Sequence, residues 1–536
     1  MMIYNRCWPT AIPPSILYLA ILFLSLVGCS GRYTPRGIEA ITQQEVYPVL
    51  IRNDENALIQ LVIDVKRKEN VLLTSVEFSL EGTDQQSDFE SFALFYSGKE
   101  LQFSPDQTFS TLEQTATKLS FQGNQTLDPG LNVFWLSGRL KSTADLSHKV
   151  TVACTLIETS AGSLNPKNHS PLLHRRIGIA LRKHNDEGVN THRIPALTTT
   201  PKGTLLCVYD MRRRKSRDLQ EDIDIGLSRS TDGGRTWITP QVIMDMGEYG
   251  GLPQEQNGCS DPGIIVDTTT GEIFCFAVWM WGKPGKHQWG EDGSEPGYQI
   301  GKSAQFMMVR SQDDGKTWTK PENLTRKLKK KSWWLFAPSP QTGINLVDGT
   351  LVMPAQGRDE KGVPFSSLLV SRDHGASWTV SSPAFSGVNE CQAVVLGDGS
   401  IMLNMRNNHE RYRAVYVTKN LGETWRPHPT NRNTLIEPHC NGSLIRFDYQ
   451  QAGDNKHLLL FSNPRSQKAR THQTIQVSLN DGLTWPSKYH LLLDEGQGRG
   501  YPSMTRIDDQ HIGIVYEGSQ SNLVFEKISL DELLNR

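Results

Sequence analysis

From Ile38 to about Leu156 apolar and polar residues alternate, as in ALIQLVIDVK (57–66), VLLTSVEFSL (71–80), NVFWLSGRL (132–140) and HKVTVACTLIE (148–158), with polar turns between them. A period of two puts alternate side chains on opposite faces of a strand, so the pattern predicts an antiparallel sheet with one buried face. The natural form for residues 38–158 is a small β-sandwich. Residues 159–174, with Asn165-Pro166 and Ser170-Pro171, break the alternation and read as a linker. From residue 175 the pattern changes to short apolar runs such as GTLLCVYD, GEIFCFAVW, GTLVMPAQ, GSIMLNMR and HLLLFSN, each introduced by glycine or a turn residue.

Among these runs one octapeptide recurs: Ser230–Trp237 (STDGGRTW), Ser311–Trp318 (SQDDGKTW), Ser371–Trp378 (SRDHGASW), Thr418–Trp425 (TKNLGETW) and Ser478–Trp485 (SLNDGLTW). The tryptophans are 81, 60, 47 and 60 residues apart. In such a string the Asp or Asn side chain binds turn amides, the glycine takes a positive φ, and the indole packs on a neighbouring sheet. One copy means little, but five at similar spacing imply the blades of a β-propeller. Residues 175–536 accommodate six blades of about 60 residues each. The fold expected is therefore all-β: a six-bladed β-propeller preceded by a small β-sandwich.

Composition narrows the class further. Of 536 residues, 56 are Lys or Arg and 57 Asp or Glu, a net charge of -1 that speaks against a general nucleic-acid-binding surface. The apolar run Ile16–Val27 follows Arg6 and has twelve residues, too few for a membrane span of about 20. It reads as an export signal. The run ends in Leu26-Val27-Gly28-Cys29, which resembles a bacterial lipobox. That resemblance implies a signal peptide over residues 1–28, a lipid on Cys29, and a tether over 29–37. The protein would then be exported and lipid-anchored at the outer membrane, in the periplasm or on the cell surface. Cys154, Cys207, Cys259, Cys275, Cys391 and Cys440 form no Cys-x-x-Cys pair and read as buried free thiols, with no metal site indicated.

The candidate chemistry lies in short strings. Thr191-His192-Arg193-Ile194-Pro195 opens the propeller, and Asn404-Met405-Arg406-Asn407 and Asn463-Pro464-Arg465 place further arginines at or just after strands. Each alone is an ordinary ion-pairing residue. Three guanidinium groups meeting on one axis would instead hold a carboxylate. The basic run Asp210–Asp218, the string Asn389-Glu390-Cys391-Gln392, and Gly500-Tyr501-Pro502-Ser503 complete the set.

With these strings in this order, residues 175–536 resemble the bacterial exo-α-sialidases (neuraminidases), and the preceding sandwich resembles the accessory domain of some of them. The resemblance implies that Arg193, Arg406 and Arg465 grip the sialic acid carboxylate. Tyr501 would be the nucleophile, Glu390 its base and Asp218 the acid/base at the glycosidic oxygen. Arg212 and Asp261 would line the pocket. It implies sialylated glycans as partners, a monomer, and no cofactor. A tyrosine suits this substrate, because a carboxylate nucleophile would approach the sugar's own carboxylate against like charge. Arg212, Arg213, Arg214, Lys215 and Arg217 would favour ionised Asp218, so its proton-donor role is expected to depend on burial by substrate and to give an acid-side pH optimum. His192 replaces a residue that is often Tyr in the family and is expected at the pocket edge. A glycosidase or transglycosylase acting on another nonulosonic acid or releasing an anhydro-sugar, and sugar binding without turnover, are the competing readings.

Overall fold

The structure is a computed structural model describing residues 35–113, 116–219, 221–282, 293–451 and 453–535. Cys29 and the expected signal peptide lie outside the described residues, as do residues 283–292 of the stretch 282–301, whose Gly-rich, charged sequence reads as a loop over a pocket mouth.

The N-terminal region is a sandwich of two sheets. One runs in the order Lys167–Asn168, Ile38–Gln43, Asn56–Val65, Gly130–Leu140, Phe89–Tyr96, Thr108–Leu112. The other runs Gly162–Leu164, Ala153–Thr159, Val71–Ser79, Lys118–Leu127. The segment expected as a linker therefore carries two strands of the sandwich, with Ile41 and Thr42 paired to Lys167 and Asn168. Both strands are short and lack the apolar alternation that marks the others: Gly162–Leu164 forms a local hairpin with Ala153–Thr159, whereas Lys167–Asn168 depends on a partner more than a hundred residues earlier.

Six four-stranded blades follow. The first is Thr191–Thr199, Leu205–Arg212, Ile223–Ser230 and Gln241–Met244; the second is Asn257–Val266, Ile273–Trp281, Gln305–Ser311 and Glu322–Asn323. The third is built on Leu335–Pro338, Leu351–Arg358, Pro364–Ser371 and Thr379–Val380. The fourth comprises Val388–Val395, Ile401–Asn407, Ala414–Thr418 and Arg426–Pro427, and the fifth Ser443–Gln451, Asp454–Pro464, Gln473–Ser478 and His490–Asp494. The sixth joins Pro502–Arg506, His511–Tyr516 and Leu523–Ser529 to Arg175–Arg182, which precedes the first blade and closes the ring through pairs such as Ile179 with Phe525.

The recurrent turn makes the bonds its composition predicts. Ser230 Oγ accepts from Gly234 N at 3.0 Å, Asp232 Oδ1 accepts from Thr236 N at 3.0 Å, and Trp237 Nε1 donates to Gly234 O at 3.0 Å. Asn480 substitutes for the aspartate, its Oδ1 accepting from Thr484 N at 2.9 Å. The indoles pack on neighbouring rings, Trp237 at 5.2 Å from Phe525 and Trp378 at 5.2 Å from Phe276. Trp333 is core as well, 4.8 Å from Phe365.

Sandwich and propeller share one core. Val49–Ile51 pairs in parallel with Arg175–Arg182 and Lys149–Val150 pairs with it antiparallel, so both extend the sixth blade's sheet. Buried Val49, Ile51, Leu58 and Leu136 belong to the same apolar cluster as Ile177, Ile179 and Phe525. Arg52 Nη1 donates to the carbonyls of Ala180 and Leu181 at 2.8 Å. The six described cysteines are buried and unpaired.

Candidate active site

The site forms where the innermost strands begin and the second strands end. Near this end three innermost strands carry a register shift: between Arg193 and Ala196, between Ser260 and Gly263, and between Val388 and Cys391. An inserted residue re-aims side chains, here next to the propeller axis. Ile194 and Asp261 take φ of 58° and 56° at two of these shifts. For β-branched Ile194 that is strained backbone, and it is over-determined by packing with Cys440 and Tyr501 and by its N–H donating to Glu517 Oε1 at 2.9 Å.

Tyr501 precedes the innermost strand of the sixth blade. Gly500 delivers it with φ of 85°, and a Cβ there would lie 2.6 Å from Pro464, so only glycine fits. The buried phenol donates to Glu390 Oε1 at 2.5 Å. Arg406 Nη1 donates to Glu390 Oε2 at 2.7 Å and to Tyr501 Oη at 2.9 Å. Burial first, and Glu390 second, hold the phenol well above its ordinary range, while Arg406 and Arg470 pull it down. The phenol is thus neutral, with its proton already on a hydrogen bond to a carboxylate and its oxygen facing a guanidinium that favours the phenolate.

Arg193 lies 5.3 Å from the Tyr501 ring centroid. Its Nε and Nη2 each donate at 2.9 Å to Glu517, which also accepts Tyr501 N at 3.1 Å. Glu517 thus locks an arginine and the tyrosine backbone together, a role its position after the apolar run HIGIVY could have flagged as a buried charge but did not. Asp218 sits in the loop after Leu205–Arg212, its side chain 34% exposed, with Arg212 Nη1 at 2.6 Å and Arg193 Nη1 at 3.5 Å. Arg212 is fully buried and also bonds Asp210 Oδ2 at 2.9 Å. Of the basic run around Asp218, Arg213 is turned away to pair with Asp224.

Asp261 is buried at the second blade and accepts from Gln356 Nε2 at 3.3 Å. Burial, with Glu390, Asp210 and Asp218 nearby, keeps its carboxyl well above the usual range. That shift favours its protonated form, which can donate a hydrogen bond.

One expectation is corrected. Arg465 is not in the cluster: it is exposed, its backbone N–H donates to His472 O at 2.9 Å, and its charge bears on His490 of the blade's outer strand. The third arginine is Arg470, five residues on in the same loop, 5.5 Å from the Tyr501 ring centroid and fixed by bonds to the carbonyls of Arg499 at 3.0 Å and His439 at 3.1 Å. A strand-end arginine next to Pro464 drew the sequence reading, whereas the loop folds back to present the later one. His192 borders a small cavity beside Arg193 but does not expose its ring to solvent. It is fully buried with its ring 5.5 Å from Tyr209, and burial pushes its pKa down to about 3, so it is neutral packing behind Arg193.

Comparison with known proteins agrees with this architecture. Residues 203–515 match the BNR repeat-like domain, and residues 38–163 match the N-terminal domain of BNR-repeat neuraminidase. A sialidase of Bacteroides fragilis is 37% identical over 515 residues, covering 91% of this chain and 94% of that protein. A sialidase of Micromonospora viridifaciens is 34% identical over 373 residues, covering 67% of this chain and 54% of the relative. The solved structure of a Hadza microbial sialidase superposes with a TM-score of 0.86 at 34% identity, covering 92% of this chain and 100% of that one. The fold and matches define a glycoside hydrolase built on a β-propeller. The chain belongs to the BNR-repeat sialidase (neuraminidase) family and is an enzyme of the exo-α-sialidase class.

Proposed function

We propose that the enzyme releases terminal α-linked sialic acid from glycoproteins, glycolipids and oligosaccharides with retention, through a covalent glycosyl-tyrosine. The observation that carries this reading is the buried Tyr501–Glu390 hydrogen bond with Arg406 on both partners. Arg193, Arg406 and Arg470 would receive the sugar carboxylate, which sets its anomeric carbon beside the Tyr501 oxygen. That oxygen attacks the anomeric carbon while its proton passes to Glu390, and Asp218 protonates the departing glycosidic oxygen. Asp218 then takes a proton from water, the water oxygen displaces the tyrosine, and Glu390 returns the proton to the phenolate. Two displacements leave the anomeric configuration unchanged. Asp261, in its protonated form, suits a polar substituent of the sugar. Cys29, as the lipid-bearing residue of an exported chain, would tether this activity to a membrane facing sialylated glycans.

The test is proton NMR of the reaction with an α-sialoside, followed from the first minute. The α-anomer of free sialic acid is expected first, with the β-anomer appearing later by mutarotation. Initial β-anomer, or an anhydro-sugar, contradicts the reading.

A further inference from the structure

Beside Arg193, at the same end of the propeller, lies a cavity of about 290 Å³, bordered among others by Asn190, Arg193, Ser216, Arg499, Ser521 and Asn522. It is at the small end of the ~300–1,000 Å³ typical of small-molecule sites. Its wall is built from the same segments as the active site. Ser216 is two residues before Asp218, and its carbonyl accepts from Arg212 Nη1 at 2.8 Å. Arg499 is two residues before Tyr501, and its own carbonyl accepts from Arg470 Nη1 at 3.0 Å. Both positions are thus fixed relative to the catalytic groups.

Arg499 is the unusual member. Its side chain is exposed, and its hydrogen bond among the described residues is a long one of 3.4 Å to Ser216 Oγ. Among the described residues no carboxylate lies within ion-pairing distance of it, while the nearby acids Glu517 and Asp218 are engaged by Arg193 and Arg212. An arginine with no acid of its own, in a wall that holds His184, His192 and Arg193 beside amides and hydroxyls and no carboxylate, suits an anionic group on a sugar.

We propose that this cavity is a subsite for the leaving sugar, in which Arg499 binds an anionic substituent, a carboxylate or a sulfate ester. The assignment rests on the reading of Asp218 as the group at the glycosidic oxygen: whatever lies beyond that oxygen belongs to the leaving part of the substrate, and the cavity is bordered by Arg193, which pairs with Asp218, and by Ser216, two residues before it. A second sialic acid, through its carboxylate, and a sulfated galactose present the same chemistry from two sources. The enzyme would accordingly favour charged leaving sugars over neutral ones, and the preference would weaken with salt because the pair is at the surface.

The experiment compares kcat/KM of the full-length enzyme and Arg499→Gln on four substrates: α2,8-linked disialic acid, sialylated 6-sulfo-galactose, neutral sialyllactose and an aryl α-sialoside. Arg499→Lys, which keeps the charge, accompanies them, and a thermal melt checks each variant. The ratio of kcat/KM for an anionic substrate to that for sialyllactose is expected to fall about tenfold or more in Arg499→Gln and to be largely recovered in Arg499→Lys. A fall confined to the disialyl or the sulfated substrate names the group bound. Ratios unchanged within about twofold for both anionic substrates overturn the proposal. If the parent fails on the aryl sialoside as well, it is the catalytic reading that fails, not the subsite.

Discussion

Tyr501→Phe is expected to lower kcat on a fluorogenic aryl α-sialoside by about 10³-fold or more, with the melting temperature little changed. The substitution removes one oxygen. The ring keeps its packing with Ile194 and Cys440 and its place between Arg193 and Arg470. Glu390 loses the phenolic donor but keeps Arg406 at 2.7 Å, so no buried carboxylate is left without a partner. What disappears is the proposed nucleophile and the path by which its proton would reach Glu390. Because the arginines proposed to bind the carboxylate stay in place, KM should change far less than kcat, the pattern of a group that acts in the transition state. A loss smaller than about tenfold would mean that another group attacks the anomeric carbon.

Arg470→Ala and Arg465→Ala are expected to differ sharply, although both arginines lie in one loop. Arg470 stands over the Tyr501 ring and is held by two backbone carbonyls, so it meets the substrate pre-aligned. Losing one partner of a desolvated charge pair costs about 2–5 kcal/mol, and kcat/KM for the aryl sialoside should fall by roughly 10²-fold or more. KM should rise and the phenol should titrate higher, since Arg470 is one of the charges pulling it down. Arg465 is exposed and acts on His490 on the outer strand, so its removal should leave kcat/KM within about twofold. Steady-state kinetics of the two variants side by side decides the assignment, and the reverse ranking would restore Arg465 to the site.

Legibility from sequence followed the range of the interactions. The repeated turn closes its bonds within eight residues, as from Asp232 to Thr236 and Trp237 to Gly234, so its composition alone foretold the blades. Arg193, Arg212, Asp218, Glu390, Arg406 and Tyr501 lie on strand starts, strand ends and loops that the apolar runs delimit, and the structure gathers them at one end. Ring closure was not legible, because Arg175–Arg182 pairs with Leu523–Ser529 at the far end of the chain. Nor was the shared sheet that takes in Val49–Ile51, a run too short to announce its partner. Glu517 was missed for the same reason: it supports Arg193 across more than three hundred residues. Arg470 was missed because the path of a loop, not its composition, decides which of two arginines faces the axis.

The central claim is that Tyr501 carries the sugar in mid-reaction. A sialosyl fluoride bearing a second fluorine beside the anomeric carbon would form the intermediate through its good leaving group, and the electron-withdrawing substituent would slow its hydrolysis. After brief incubation, denaturation and proteolysis, mass spectrometry should find one fluorosialosyl unit on the peptide containing Tyr501, and none in Tyr501→Phe. A label on Glu390 or Asp218, or no label on an enzyme that turns over the parent sialoside, would contradict the account.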